Sequence, residues 1–132
     1  MLKKFVIRTL LFAFIIAASV SVCEICVRSL PNPYKTKQEA MERMAPTVRT
    51  LILGNSHTYF GVRPDMLGPG AVNLANVSQT LRYDRRLLEQ WLPRTDSLKT
   101  VIMHVGLTSL FDIDMEDTSD WIFAINYQIY NR

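Results

Sequence analysis

The chain has 132 residues, 48% of them apolar and 20% charged, with two cysteines and a formal net charge of +3. That is one globular domain at most, too apolar for intrinsic disorder and too poor in cysteine for a disulfide framework. The charge is also segmental: Lys/Arg against Asp/Glu is eight to three over residues 1–50, six to four over 51–99 and one to five over 100–132. Cations spread in this way do not make a nucleic-acid face, which gathers them on one folded surface.

Lys3 and Lys4 precede an apolar stretch over residues 5–22, broken early by Arg8 and closed by Glu24. A positive start followed by such a run reads as an export signal. The uninterrupted part, residues 10–22, is short for a bilayer, but Arg8 can snorkel to the interface. Residues 5–27 are therefore expected to cross as one signal-anchor helix behind a cytoplasmic tail of residues 1–4. Cleavage among Ala17, Ala18, Ser19 and Ser21 is the competing outcome, although no A-x-A pattern is present. Arg28, Lys35 and Lys37 match Lys3, Lys4 and Arg8, so the charge rule does not orient the helix. A short tail before a first hydrophobic segment normally stays inside, which predicts a single-pass cell-membrane protein with residues 28–132 extracytoplasmic. Cys23 and Cys26 fall at the end of the apolar segment, where they read as two small apolar residues and not as a redox pair.

Pro31 and Pro33 open a polar connector, residues 28–45, with room for a helical turn or two over residues 38–44. Residues 46–132 then change character. TVRTLIL over residues 47–53 is β-branched and apolar and runs into Gly54, so it reads as a buried strand ending in a turn. Residues 71–74 form a second short strand candidate. Residues 84–92 carry Leu87, Leu88, Trp91 and Leu92 at helical spacing, ended by Pro93. A third apolar strand is expected over residues 100–105. Strands without polar alternation are buried on both faces, and helical crossovers make them parallel. The expected fold is therefore α/β: a partial three-layer, flavodoxin-like parallel sheet of about three strands behind a transmembrane helix. In such sheets, functional groups collect at the carboxyl ends of the strands.

Ser56 stands directly after the first strand, where a hydroxyl lies beside backbone N–H groups at the start of a helix. The block Gly54-Asn55-Ser56-His57-Thr58 resembles the first block of the SGNH (GDSL-like) hydrolase superfamily, in particular its membrane-anchored branch linked to acyl transfer onto extracellular polysaccharides. The resemblance implies that Ser56 is the nucleophile and that its N–H is one oxyanion donor. It aligns Asn73-Leu-Ala75-Asn-Val-Ser78 with the family's N-x-G-x-x-G, so that Ser78 becomes a second oxyanion donor. It aligns Gly106-Leu107-Thr108-Ser109 with G-x-N-D, so that Thr108 becomes a third, with a shorter reach than asparagine. The family's Asp-x-x-His base has no counterpart: the two histidines are His57, expected to point away from Ser56, and His104, expected within the third strand. A serine without a base is a poor nucleophile.

Asp112, Asp114, Glu116 and Asp117 depart from the EF-hand pattern and read as a solvated acidic loop, so no metal or cofactor is expected. Arg82, Arg85 and Arg86 suit the exposed side of a surface helix. The functional expectation is an esterase or O-acyltransferase acting on acylated envelope glycan, represented by a fragment that is inactive without its base. The rival is a non-catalytic membrane-associated assembly protein that meets an envelope protein through the aromatic tail, Trp121, Phe123, Tyr127 and Tyr130.

Overall fold

The computed structural model describes residues 2–111 and 120–131, with the backbone alone at Thr108, and divides into two units, Met1–Asn32 and Pro33–Arg132. The first unit is a single helix, α1 (Leu2–Ser29), long and apolar enough to cross a membrane. Its 28 residues span roughly 42 Å at about 1.5 Å each, more than the roughly 30 Å of a hydrocarbon core. The hydroxyls of Thr9, Ser19 and Ser21 each donate to the carbonyl four residues earlier, which satisfies them within the helix. Arg28 and Glu24 pair at 2.7 Å one turn apart near its end. Cys23 and Cys26 lie exposed on this continuous helix.

The second unit is α/β and mostly helical. In chain order it contains α2 (Pro33–Met44), β1 (Thr50–Leu53), α3 (Ser56–Gly61), β2 (Ala71–Asn73), α4 (Leu81–Trp91), β3 (Thr100–Met103) and α5 (Trp121–Tyr130). The three strands form one parallel sheet in the order β2-β1-β3, with Leu51 opposite Val72 on one side and Val101 on the other.

In three places the second unit is built differently from the elements read in the sequence. The polar connector is mostly α2, which Pro33 starts without loss because the first helical N–H has no intrahelical acceptor. Tyr34 and Met41 fall on its inner face and are buried with Ala45 and Val48. The aromatic tail is also part of the folded second unit. It forms α5, with Ala124 and Tyr127 buried and Phe123 and Tyr130 packed against the core, although Trp121 stays exposed. Tyr127 meets the Tyr34 ring edge-on at 5.0 Å and stacks on Tyr83 at 4.2 Å. Finally, only β1 is buried as a central strand should be. On β3 Val101 and Met103 are 42% and 45% exposed, because β3 is an edge strand that no further described element covers.

The core lies around β1. Leu51 and Leu53 pack with Val72, Leu74 and the inner stripe of α4, Tyr83, Leu87 and Trp91, each four residues apart. Helix α4 starts three residues earlier than its apolar pattern alone suggests, because Thr80 holds an extended backbone at the N-cap and Leu81 already follows it into the helix.

Candidate functional site

Parallel pairing brings the carboxyl ends of all three strands to one edge of the sheet, and the loops after them carry the candidate residues. The β2 loop continues the ladder beyond the strand itself: Leu74 N–H donates to Ile52 O at 2.8 Å, and Asn76 N–H donates to Gly54 O at 3.2 Å. Ser78 thus follows two residues after a direct contact with the Gly54 turn.

Gly54 has φ +116°, and a Cβ there would sit 2.6 Å from Thr58 Oγ1 and 3.1 Å from His104 N. Only glycine fits this turn. Asn55 is the N-cap of α3, its Oδ1 accepting from the His57 N–H at 3.1 Å. The usual structural task of a serine at a helix start is therefore performed by its neighbour. Ser56 is half-buried at the first helical position, and among the described residues neither its N–H nor its hydroxyl has a hydrogen-bond partner. Asn73 ties the end of β2 to α3, its amide donating to Thr58 O and Val62 O at 3.1 Å each and its Oδ1 accepting from Ala75 N–H at 2.9 Å.

Ser78 has φ 56°, the one described non-glycine residue with positive φ. This is the left-handed region that favours glycine, the residue the resembled motif has at this place. Its N–H also lacks a partner among the described residues. In the third block, Ser109 is committed to the turn: Gly106 N–H donates to its Oγ at 3.2 Å, while its own N–H donates to Gly106 O at 3.1 Å. Thr108 opens this 3₁₀ turn, Thr108–Leu110, and its side chain lies outside the described set, as does the acidic loop at Asp112, Asp114, Glu116 and Asp117. Among the described residues no group of three or more His, Cys, Asp or Glu is placed to hold a metal.

One of the two histidines, His104, falls just outside the strand expected to hold it. His104 lies one residue beyond β3, opposite Gly54 in the extended register, and its ring meets that of His57 at 4.8 Å between centroids. Sequence separation hid this pairing; the strand register, Leu53 opposite Met103, was the signal that would have shown it.

A second feature had no sequence signal. Asp84, buried on α4, accepts from Gly54 N–H at 2.7 Å and from Gln79 Nε2 at 2.5 Å. Gln79 Oε1 accepts from the Tyr127 hydroxyl at 2.5 Å. The network reaches the outer layer where Lys37 Nζ on α2 donates to Ala75 O and, at 3.2 Å, to Asn76 Oδ1. Burial pushes the Asp84 carboxyl above its ordinary range, opposed by the hydrogen bonds from Gln79 and Gly54. Burial lowers Lys37 to about 8, although its ammonium also lies 4.3 Å over the Tyr59 ring. The network thus clamps the Gly54 turn from below. Of the arginines on α4, Arg85 pairs with Glu89 at 2.7 Å and Arg86 lies over the Tyr83 ring, both on the outer side.

No family model, curated protein or solved structure matches the chain.

Proposed function

We propose that the chain carries the nucleophile-bearing part of a membrane-anchored, extracytoplasmic SGNH-like esterase or O-acyltransferase acting on acylated envelope glycan. Ser56 attacks the acyl carbonyl and holds the acyl group as a serine ester. The Ser56 and Ser78 N–H groups, with Thr108, stabilise the oxyanion. The observation that carries this reading is the uncommitted hydroxyl of Ser56, at the carboxyl end of a central parallel strand, with Asn55 already serving as the cap. The strand order β2-β1-β3 is the one on which flavodoxin-like sheets are built, which supports the three-layer reading. The long apolar α1 supports anchoring.

Fluorophosphonate labelling tests the proposal. An adduct on Ser56 in detergent-solubilised, folded protein, lost in Ser56→Ala, is the expected result; a folded protein that takes up no probe contradicts it.

A second reading, an assembly protein without catalysis, is favoured by one observation: the exposed apolar side chains Val101, Met103, Val105, Leu107 and Phe111 on and after the β3 edge. An open edge of this kind invites pairing. The same labelling separates the two readings.

A further inference from the structure

We propose that the cleft between α2, α3 and β2 binds an anionic amphiphile, a monocarboxylate with an apolar body, whose carboxylate faces Lys37. The cleft holds about 640 Å³, within the range of roughly 300–1,000 Å³ that small-ligand sites occupy. It lies wholly within the second unit, and none of Ser56, Ser78 and Thr108 lines it. The inference therefore stands whether or not Ser56 is a nucleophile.

The walls follow from local structure. On α2, Lys37, Ala40 and Met44 stand at i, i+3 and i+7, a stripe beside the one that carries Tyr34 and Met41 into the core. Tyr59 and Phe60 on α3 supply the second wall, and β2 supplies the third. Asn73 ties β2 to α3 through Thr58 O and Val62 O, so the spacing of these two walls is set by the fold and needs no ligand. The lining is mostly apolar, yet Phe60 is 73% exposed and Met44 38%. Covering such side chains is the gain that a ligand's apolar body supplies.

Charge decides the sign of the ligand. Among the described residues the charged side chains of the cleft are Lys37 and Arg63, and no carboxylate lines it. Arg63 already pairs with Asp65. Lys37 has no such partner among the described residues: its Nζ donates to Ala75 O and Asn76 Oδ1 and lies 4.3 Å over the ring of Tyr59, itself a wall of the cleft. A half-buried cation whose partners are all neutral keeps much of its desolvation cost, and burial accordingly holds Lys37 at about 8, below its ordinary value. A carboxylate in the cleft offsets that cost, whereas an ammonium in the same place adds to it.

Isothermal titration of the folded full chain in lauryl maltoside at pH 7, with protein-free micelles as the blank, tests this with octanoate and octylamine. Octanoate should bind at least about tenfold more tightly than octylamine, the preference expected of one charge-assisted contact. Lys37→Met should weaken octanoate by about tenfold or more and abolish the preference. Phe60→Ser changes an exposed wall residue and leaves Lys37 in place; it should weaken octanoate several-fold while the preference for the anion persists. Octanoate uptake no greater than that of the micelles, equal affinity for octanoate and octylamine, or wild-type octanoate affinity in folded Lys37→Met or Phe60→Ser overturns the inference. Should Lys37→Met not fold, the comparison of the two probes in wild-type protein and in Phe60→Ser decides.

Discussion

At the scale of single residues, the site is defined by what each backbone position permits. Ser78 sits at φ 56°, where an L-residue pays roughly 1–2 kcal/mol that glycine avoids. Glycine's extra unfolded-state entropy returns about half of that. Ser78→Gly should therefore raise stability by about 0.5–1 kcal/mol in urea unfolding while keeping the N–H that the oxyanion reading needs. Asp84 is a different case, since its Oδ1 receives both the Gly54 N–H and the Gln79 amide. Asparagine offers the same oxygen without the buried charge, so Asp84→Asn should lie within about 1 kcal/mol of wild type. Asp84→Ala leaves two buried donors unsatisfied and should cost about 2–4 kcal/mol in the same unfolding experiment. The place of Ser56, just after β1 and the Gly54 turn, was legible in the sequence because a serine after an apolar strand and a glycine turn is a local pattern. The histidine pair and Asp84 were not, because their partners lie 47 and 30 residues away and only the strand register brings them together.

Among the elements, legibility followed burial. The sequence reading found β1, β2 and β3 from their apolar runs, but hydropathy cannot tell a central strand from an edge strand, so the exposure of β3 was missed. Helix α2 was hidden for the opposite reason. Only Tyr34 and Met41 of its twelve residues are buried, so its apolar signal is thin against many charges. Helix α5 looked like an unpartnered tail because its partners, Tyr34 on α2 and Tyr83 on α4, are far away in the chain. Its docking predicts an asymmetry along one helix. Ala124 is 1% exposed, so Ala124→Leu should overpack the interface and cost about 1–3 kcal/mol in urea unfolding. Trp121 is 53% exposed, and Trp121→Ala should change stability by no more than about 0.5 kcal/mol.

For the whole molecule, the buried polar network couples folding to pH. Lys37 falls from 10.5 to about 8 on burial, so between these values the unfolded chain binds more protons than the folded one. Stability should therefore rise with pH from about 8 towards 10.5, and Lys37→Met should abolish that rise in unfolding measured across the range. Tyr34 is pushed up by burial to about 12, so its contribution is full below 10 and is lost between 10 and about 12. Asp84 has the same sign at acid pH: its folded value is raised above 3.8, so its contribution is lost as pH rises through that folded value. These couplings belong to the second unit, where the network joins α2, α4 and α5 beneath the Gly54 turn. Asp84 holds the Gly54 turn from which half-buried Ser56 follows. The most direct test is peptide mapping of the folded full chain after exposure to an activated acetyl ester. The account predicts an acetyl group on Ser56, absent from Ser56→Ala and removable by hydroxylamine. Acetylation confined to Lys37 and other amines, with Ser56 unmodified, would contradict it.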